Sequence, residues 1–432
     1  MSKKKHSKKE ETEGLITPGM KQHLKYLVGL SVFAKICIVI FTIFIVSSGM
    51  DMFAVNYYRE NTLNFFSPGH VPYIDYYYEY PILLVIPVGI ALIPSLVLNS
   101  VLAFMVAFCI LMTICDTITI ICIYLIARKV WDNSRTAFIA ACVYMTGLAV
   151  QYFAIIDYSS VAVMLMMIGL TIVFYGKERI TKYSWVSDNL FTVLGYFMKF
   201  FPLLISPFII LYKSKTTSLK QEVISFLKLA LPFAIILIGP TLIFSPWATI
   251  KTYVPLRLDA GTVTGYFPNT VIWSLYVWLH DVFNMAVTMD NVFVFVYACM
   301  IISLCALLYA AFKSKQQDPA MLIKFALCTL VIIVLSYKAR SPGYIMWFLP
   351  LACILIADNI YKIGWFYVTQ ILTYLVFPLS FWILWTNAGW VNPMYSANWY
   401  LTLILLTLES SSLIILTWVA VEPVKMYKKI FG

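Results

Sequence analysis

The chain has 432 residues, of which 62% are hydrophobic and 12% are charged. An ordinary soluble domain carries about a quarter charged residues, and no polar stretch here is long enough to form one. The composition therefore excludes an ordinary soluble protein and predicts an all-α, polytopic membrane protein. The net charge of +11 fits basic loops on one side of a membrane and attraction to anionic lipid headgroups, so it gives no support to nucleic-acid binding.

The N-terminal segment MSKKKHSKKEETEG has no apolar residue after Met1, which predicts a disordered basic cytoplasmic tail over residues 1–25. The apolar run from about residue 26 to residue 50 is longer than the core of a cleavable signal peptide, and no small-residue cleavage motif follows it. We therefore expect a retained first span and a single transmembrane domain over residues 26–432.

Five basic loops set the expected topology, because Lys and Arg concentrate on the cytoplasmic side of membrane proteins. They lie at residues 127–135, 176–182, 212–220, 312–318 and 425–429. An even number of crossings must separate any two of them, which places both termini in the cytoplasm. About twelve spans (range 10–13) satisfy this rule, at residues 26–50, 100–126, 136–153, 160–175, 186–199, 201–212, 223–244, 292–312, 321–336, 345–358, 365–386 and 400–421.

The same rule leaves the apolar stretch 82–98, which Pro87 and Pro94 interrupt, without a crossing of its own, so we expect a helix at the outer leaflet. The short segments on either side of residues 198–202 could form a broken hairpin that reaches only part of the bilayer. Two non-cytoplasmic loops, 51–99 and 245–291, are too long to be turns. Loops of this length are usually functional, and we expect both to bear short juxtamembrane helices.

Carboxylates of the first outer loop are candidates for acid–base chemistry. Asp51 stands at the end of the first span, where partial desolvation makes a carboxylate a better general base; a water-facing residue that ends the helix is the alternative. Asp75 and Glu79, in PYIDYYYEYP (72–81), are four residues apart and can face the same way in an extended or a helical segment. They could hold sugar hydroxyls or orient Asp51, or they could belong to a solvated loop flanked by interfacial tyrosines.

Six basic residues break the positive-inside pattern: Arg59, Lys199, Lys251, Arg257, Lys338 and Arg340. Lys338 and Arg340 suit an anion at headgroup depth, such as a lipid phosphate, unless they only snorkel to phospholipid heads. Lys199 stands inside an apolar hairpin, where a charge is costly and marks a functional candidate, unless the hairpin reaches water. Arg257 could simply pair with Asp259.

Several common chemistries have no motif in the sequence. No HExxH, P-loop, GxSxG or DxD pattern occurs and the histidines are isolated, so we expect no metal and no cofactor. Asp116 and Glu409 lie within predicted spans, where they could be internal hydrogen-bonding partners of Lys35 or of neighbouring Thr and Ser.

Three stretches carry a resemblance to a known family. GHVPYIDYYYEYP (69–81) resembles G-x-x-P-Y-x-D-x-x-x-E-Y-P-P, MKFFPLLISP (198–207) resembles K-x-x-P-L-L-L-x-P, and SPGYIMWFLPL (341–351) resembles S-P-Q-Y-L-L-W-L-L-P-L. Weaker agreement comes from FAIIDYSS (153–160) and from the YVPLR loop. In this order and spacing the stretches resemble GT-C-fold glycosyltransferases that use polyprenyl-phosphate sugars, especially glycosyltransferase family 87. The chain departs from the pattern at Ile82, which replaces a proline, and at Gly343, which replaces a glutamine.

The resemblance implies a GT-C-like fold and an inverting, metal-independent transfer on the non-cytoplasmic face. The donor would be a polyprenyl- or dolichyl-phosphate hexose, with mannose as the expected sugar. The acceptor would be a hydroxyl of a glycolipid or of a glycan, and the protein would also contact membrane lipid. It implies catalytic roles for Asp51, Asp75 and Glu79. It also implies a donor-phosphate site and a substrate site, the first formed by Lys199, Arg257, Lys338 and Arg340 and the second by Tyr73, Tyr80, Asp157 and Tyr344.

Two other classes stay open. A transporter or flippase of lipid-linked sugars should have two halves with matching hydropathy and equivalent interrupted helices. The two halves of this chain do not match, because the long first outer loop has no counterpart in the second half. A structural or polymer-ligating membrane protein without activated-sugar chemistry is the third class.

Overall fold

The computed structural model describes residues 18–45, 53–67, 69, 80–176, 187–246, 249, 270–314, 317–337, 342–379 and 399–431. Every regular element within these ranges is helical, which confirms the predicted all-α class for them. Apart from short 3₁₀ segments at Ile82–Leu84 and Pro342–Trp347 and π-helical turns at Trp278–Val282 and Leu375–Leu379, the elements are α-helices.

The first helices are α1 (Pro18–Ile45), α2 (Phe53–Phe66), α3 (Val85–Leu98) and α4 (Val101–Trp131). α1 begins before the predicted boundary at residue 25, because Pro18 suits a first helical turn and the helical run passes through the charged residues that follow. α4 begins after Ser100, whose hydroxyl accepts from the Ala103 N–H, and ends at Asp132 in the left-handed conformation. At about 46 Å, α4 is longer than the ~30 Å hydrocarbon layer, and α1, α3, α5 and α7 pack against it.

α5 (Ser134–Met145) and α6 (Leu148–Ile156) form one unit bent by 66°. The bend lies at Gly147, and the side chain of Gln370, far along the chain, caps the start of α6. Its Oε1 accepts from the backbone N–H groups of Ala149 and Val150 at 3.1 and 3.2 Å. A Cβ at Gly147 would lie 2.9 Å from this oxygen, so the cap requires glycine at the bend.

α7 (Ser159–Tyr175), α8 (Asp188–Met198), α9 (Phe201–Leu204) and α10 (Ser206–Lys213) follow. The chain leaves helical geometry at Lys199, whose φ of −162° and ψ of 136° are extended, and Pro202 stands in the first turn of α9. The predicted interruption at residues 198–202 is therefore confirmed, while the depth of this hairpin in the bilayer stays a prediction.

The remaining helices are α11 (Leu219–Leu237), α12 (Gly239–Phe244), α13 (Val271–Val277), α14 (Met289–Lys313), α15 (Pro319–Ser336), α16 (Leu349–Ile356), α17 (Ile360–Tyr374), α18 (Trp399–Val421) and α19 (Pro423–Phe431). Both long loops contain short helices in their described parts, α2 and α3 in the first and α13 in the second. α3 is about 21 Å long, shorter than the ~30 Å hydrocarbon layer, as the prediction of a non-crossing helix requires.

The protein is a helical membrane protein. Five helices of its described part, α1, α4, α14, α15 and α18, are long and apolar enough to cross a bilayer, and the bent α5–α6 unit could be a sixth. Large apolar side chains such as Ile301 and Ile302 of α14 are exposed, as contact with lipid requires. Each of the twelve predicted segments overlaps at least one helix, but the number of crossings and the side of each loop stay predictions.

Three charged residues buried among these helices, Lys35, Asp116 and Glu409, have polar partners. Lys35 of α1 and Asp116 of α4 are fully buried and lie 3.2 Å apart, and the Tyr144 hydroxyl donates to Asp116 at 2.9 Å. Glu409 of α18 accepts from the Thr373 hydroxyl at 3.1 Å. These contacts confirm the internal partners expected for Asp116 and Glu409. Such partners are needed because an isolated buried charge is costly.

Candidate functional site

The candidate site is built around Lys199, at the break between α8 and α9. Only 5% of this residue is exposed. Its ammonium group lies 3.4 Å from Oδ1 of Asp157 and donates a hydrogen bond to the hydroxyl of Ser159. A lysine this deep is stabilised by a counter-charge and by hydrogen-bond acceptors, and it has both.

Asp157 and Ser159 hold their positions because they form the start of α7. Asp157 ends α6 in an extended conformation, and its Oδ1 accepts from both the backbone N–H and the hydroxyl of Ser159 at 2.7 Å. This carboxylate therefore caps a helix and pairs with Lys199 through the same oxygen. No hydrogen bond to its second oxygen, Oδ2, comes from the described ranges, and 11% of the side chain remains exposed.

Aromatic rings surround the ammonium group. The Lys199 Nζ lies 4.3 Å from the ring centroid of Tyr158, 4.7 Å from that of Tyr344 and 5.5 Å from that of Trp347. Each distance is within the ~6 Å range of a cation–π interaction. The indole N–H of Trp347 also donates to the Ser159 hydroxyl at 3.4 Å. The hydroxyl of Ser159 thus contacts the nearby carboxylate of Asp157 and two groups from distant parts of the chain, the ammonium of Lys199 and the indole of Trp347.

We refer to Asp157, Tyr158, Ser159, Lys199, Tyr344 and Trp347 as the Lys199 cluster. Ring stacking fixes its positions: Trp347 stacks on Tyr344 with centroids 4.2 Å apart and on Phe201, the first residue of α9, at 4.6 Å. Tyr80 joins the edge of the cluster through Tyr158, with ring centroids 5.3 Å apart. Residues near 80, 158, 199 and 344 therefore meet at one place in the fold.

Gly343 makes close contact with the cluster. A Cβ at this position would lie only 2.7 Å from Oδ2 of Asp157 and 3.2 Å from Cδ1 of Phe153. The carboxylate occupies space that a side chain at position 343 would need. A glutamine at this position, as in the family pattern, would therefore not fit this arrangement.

The structure places four of the predicted site residues, Tyr80, Asp157, Lys199 and Tyr344, in or beside this one cluster. The remaining predictions lie outside the described residues: Asp51, Tyr73, Asp75, Glu79, Arg257, Lys338 and Arg340. Their proposed convergence with Lys199 stays a prediction. Tyr80 directly follows the segment with Asp75 and Glu79, and Pro342 lies two residues after Arg340.

Sequence reasoning missed Ser159 and Trp347. Ser159 follows Asp157 by two residues at a helix start, where a polar residue is common for local reasons alone. Trp347 belongs to SPGYIMWFLPL, but an aromatic residue in a membrane protein has many ordinary uses. The only available signal was that both residues stand inside the segments that carry the family resemblance.

The chemistry available at the cluster is that of a charged, hydrogen-bonding and aromatic surface. A lysine ammonium binds phosphate oxygens, a carboxylate oxygen accepts from hydroxyls, and tyrosine and tryptophan faces stack on sugar rings. No group of three or more His, Cys, Asp or Glu side chains that could hold a metal ion occurs within the described ranges.

No family model matches the chain, and no curated protein matches it in sequence. A function must therefore be inferred from the residues and from their geometry.

Proposed function

We propose that the protein is a membrane glycosyltransferase with a GT-C-like fold, similar to glycosyltransferase family 87. It moves a hexose, with mannose as the expected sugar, from a polyprenyl- or dolichyl-phosphate donor to a hydroxyl of a glycolipid or glycan acceptor. The predicted face of the reaction is non-cytoplasmic.

The observation that carries this proposal is the meeting of the resembling segments at Lys199. Tyr80 closes the first segment, Lys199 stands in the second, and Tyr344 and Trp347 stand in the third. The weaker segment, 153–160, contributes Asp157 and Ser159. Stretches separated by up to about 260 residues have no local reason to meet, and a buried intramembrane charge is by default a functional candidate.

The proposed reaction is a single displacement. The acceptor oxygen forms a bond to the anomeric carbon of the sugar while the bond from that carbon to the phosphate oxygen breaks. The acceptor proton passes to a carboxylate of the first outer loop, for which Asp51 is the first candidate and Asp75 and Glu79 are the others. The polyprenyl phosphate leaves with the bonding electron pair, and the configuration at the anomeric carbon is inverted.

Different groups of the Lys199 cluster serve the leaving phosphate and the sugar. The ammonium group of Lys199 stabilises negative charge that develops on the leaving phosphate, and it is fixed in advance by Ser159 and the surrounding rings. Oδ2 of Asp157 is available to a sugar hydroxyl. Because the carboxylate of Asp157 already balances the single positive charge of Lys199, the donor phosphate needs further cations. The proposed ones are Arg257, Lys338 and Arg340.

The test is hexose transfer by the purified full chain. The protein is incubated with a radiolabelled polyprenyl-phosphate hexose and a crude lipid extract, and new glycolipid is separated and counted. Lys199→Met keeps an unbranched side chain only one heavy atom shorter and removes the charge, so transfer should fall by about 10²- to 10³-fold, as for loss of one electrostatic contact to a transition state. Asp51→Asn should lower it by about 10²- to 10⁴-fold.

The matched control is Lys228→Met, which removes an exposed lysine from the middle of α11. Its transfer rate should equal that of the unmodified protein. Vectorial movement of the labelled lipid without a new glycosidic bond would support a transporter or flippase instead. Equal rates for Lys199→Met and Lys228→Met would remove the cluster from the reaction.

A further inference from the structure

The C-terminal helix α19 lies directly after a candidate membrane span but does not continue it. α18 ends at Val421, and Glu422 adopts a φ of +50°, a left-handed conformation that breaks the helix. Pro423 then begins α19, in which nine residues form two and a half turns. The chain therefore changes direction at the point where it leaves the span.

α19 presents three different faces. Met426 is buried and Ile430 partly buried against the hydrophobic core of the protein. Val424, Tyr427 and Phe431, spaced three and four residues apart, form a stripe in which each residue is between 46% and 65% exposed. The stripe extends onto the neighbouring helix, because Phe431 stacks on the exposed ring of Tyr309 of α14.

Lysines form the third face, and their pairing is unequal. Lys425 pairs with Glu422 at 3.0 Å, and Lys429 pairs with Asp318, at the start of α15, at 2.6 Å. Lys428 is exposed and has no acidic partner within the described ranges. The ion pair to Asp318 fixes the rotation of α19 on the protein, which leaves Lys428 beside the open apolar stripe.

We propose that α19 is an interfacial helix that docks on anionic phospholipid at the surface from which α18 emerges. The stripe of Val424, Tyr427 and Phe431 enters the boundary between headgroups and acyl chains, and Lys428 contacts the headgroup phosphates. An exposed apolar stripe beside an exposed cation, at the end of a candidate membrane span, matches a charged lipid surface both in polarity and in position. This surface is distinct from the Lys199 cluster and does not depend on the proposed transferase activity.

The experiment compares the full chain in nanodiscs of phosphatidylcholine with the full chain in nanodiscs of an equal mixture of phosphatidylcholine and phosphatidylglycerol. Backbone hydrogen exchange is followed in peptides that cover residues 423–431. Exchange should be about fivefold slower in the anionic discs, the factor expected for one lysine near an anionic surface. Lys428→Gln should abolish this difference, and Tyr427→Ser should speed exchange in both lipids.

Lys220→Gln is the matched control, because it removes one exposed lysine from another helix, α11, and changes the net charge equally. It should leave the lipid dependence of residues 423–431 unchanged. Equal exchange in the two lipids for the unmodified chain would overturn the proposal. So would a loss of lipid dependence that is the same for Lys220→Gln and Lys428→Gln, since that would be an effect of total charge.

Discussion

Gly343→Ala is the smallest change that should disturb the Lys199 cluster. The new methyl group would lie 2.7 Å from Oδ2 of Asp157, closer than such atoms approach in folded proteins, and 3.2 Å from Cδ1 of Phe153 on its other side. The carboxylate must move, and its ion pair with Lys199, already 3.4 Å long, must weaken or break. Overpacking of this kind typically costs about 1–3 kcal/mol.

If that strain falls on the arrangement used by the reaction, transfer should slow by between about fivefold and about 150-fold. Thermal unfolding in detergent and the hexose-transfer assay are measured together. Gly89→Ala is the control, because its methyl group would meet only Phe66, at an ordinary 3.6 Å, and alanine is favoured over glycine within a helix. Its activity should be unchanged and its stability equal or higher.

A double substitution identifies the route of the effect. When Asp157→Ala removes the carboxylate, the methyl group at position 343 no longer meets Oδ2, so adding Gly343→Ala should cost much less than it does alone. If Gly343→Ala matched Gly89→Ala in both stability and activity, or if its cost were unchanged in the Asp157→Ala background, the packing argument would be wrong.

Two further predictions concern ion pairs outside the cluster. Lys35→Met should lower the free energy of unfolding by about 3–5 kcal/mol, because it leaves Asp116 buried without its counter-charge. Lys35→Met combined with Asp116→Asn should recover most of that loss. Equal losses in the single and the double variant, measured by denaturant unfolding, would contradict this prediction. Burial raises the pKa of Glu422, but hydrogen bonds from Lys425 and Lys362 and the charges of both lysines outweigh it and hold that pKa below 4.5. Its stabilisation should therefore be complete above pH 4.5 and disappear as the pH falls through the lowered pKa, so the unfolding temperatures of the unmodified protein and Glu422→Gln should differ at neutral pH and converge in acid.

Features of the fold that depend on local physics could be predicted from the sequence. The apolar runs located the long helices, whereas the expectation from the parity of the basic loops and from Pro87 and Pro94, that residues 82–98 do not cross by themselves, stays a prediction. The pairing of Lys35 with Asp116 was also within reach, because a lone charge inside a span needs a partner and few are present. The break between α8 and α9 at Lys199 could be predicted because the apolar segments on either side of residues 198–202 are short for full crossings.

Features that depend on distant contacts could not be predicted. Nothing near Gly147 indicates that Gln370 caps α6, since that cap links two helices more than 200 residues apart. The role of Ser159 as a contact for Asp157, Lys199 and Trp347 likewise becomes visible only when three segments are placed together. Local patterns identify which residues are unusual, but they do not state which unusual residues meet.

The buried pair between α1 and α4 has a consequence for biogenesis. A lysine near the centre of an isolated helix adds about 2.5–3.5 kcal/mol to the free energy of its insertion at the translocon, and the compensating carboxylate of Asp116 is synthesised only after a further 80 residues. The N-terminal helix should therefore stay beside the insertion machinery, rather than diffuse into lipid, until α4 emerges from the ribosome. Nascent chains arrested before and after α4 should accordingly differ in how readily α1 crosslinks to the translocon.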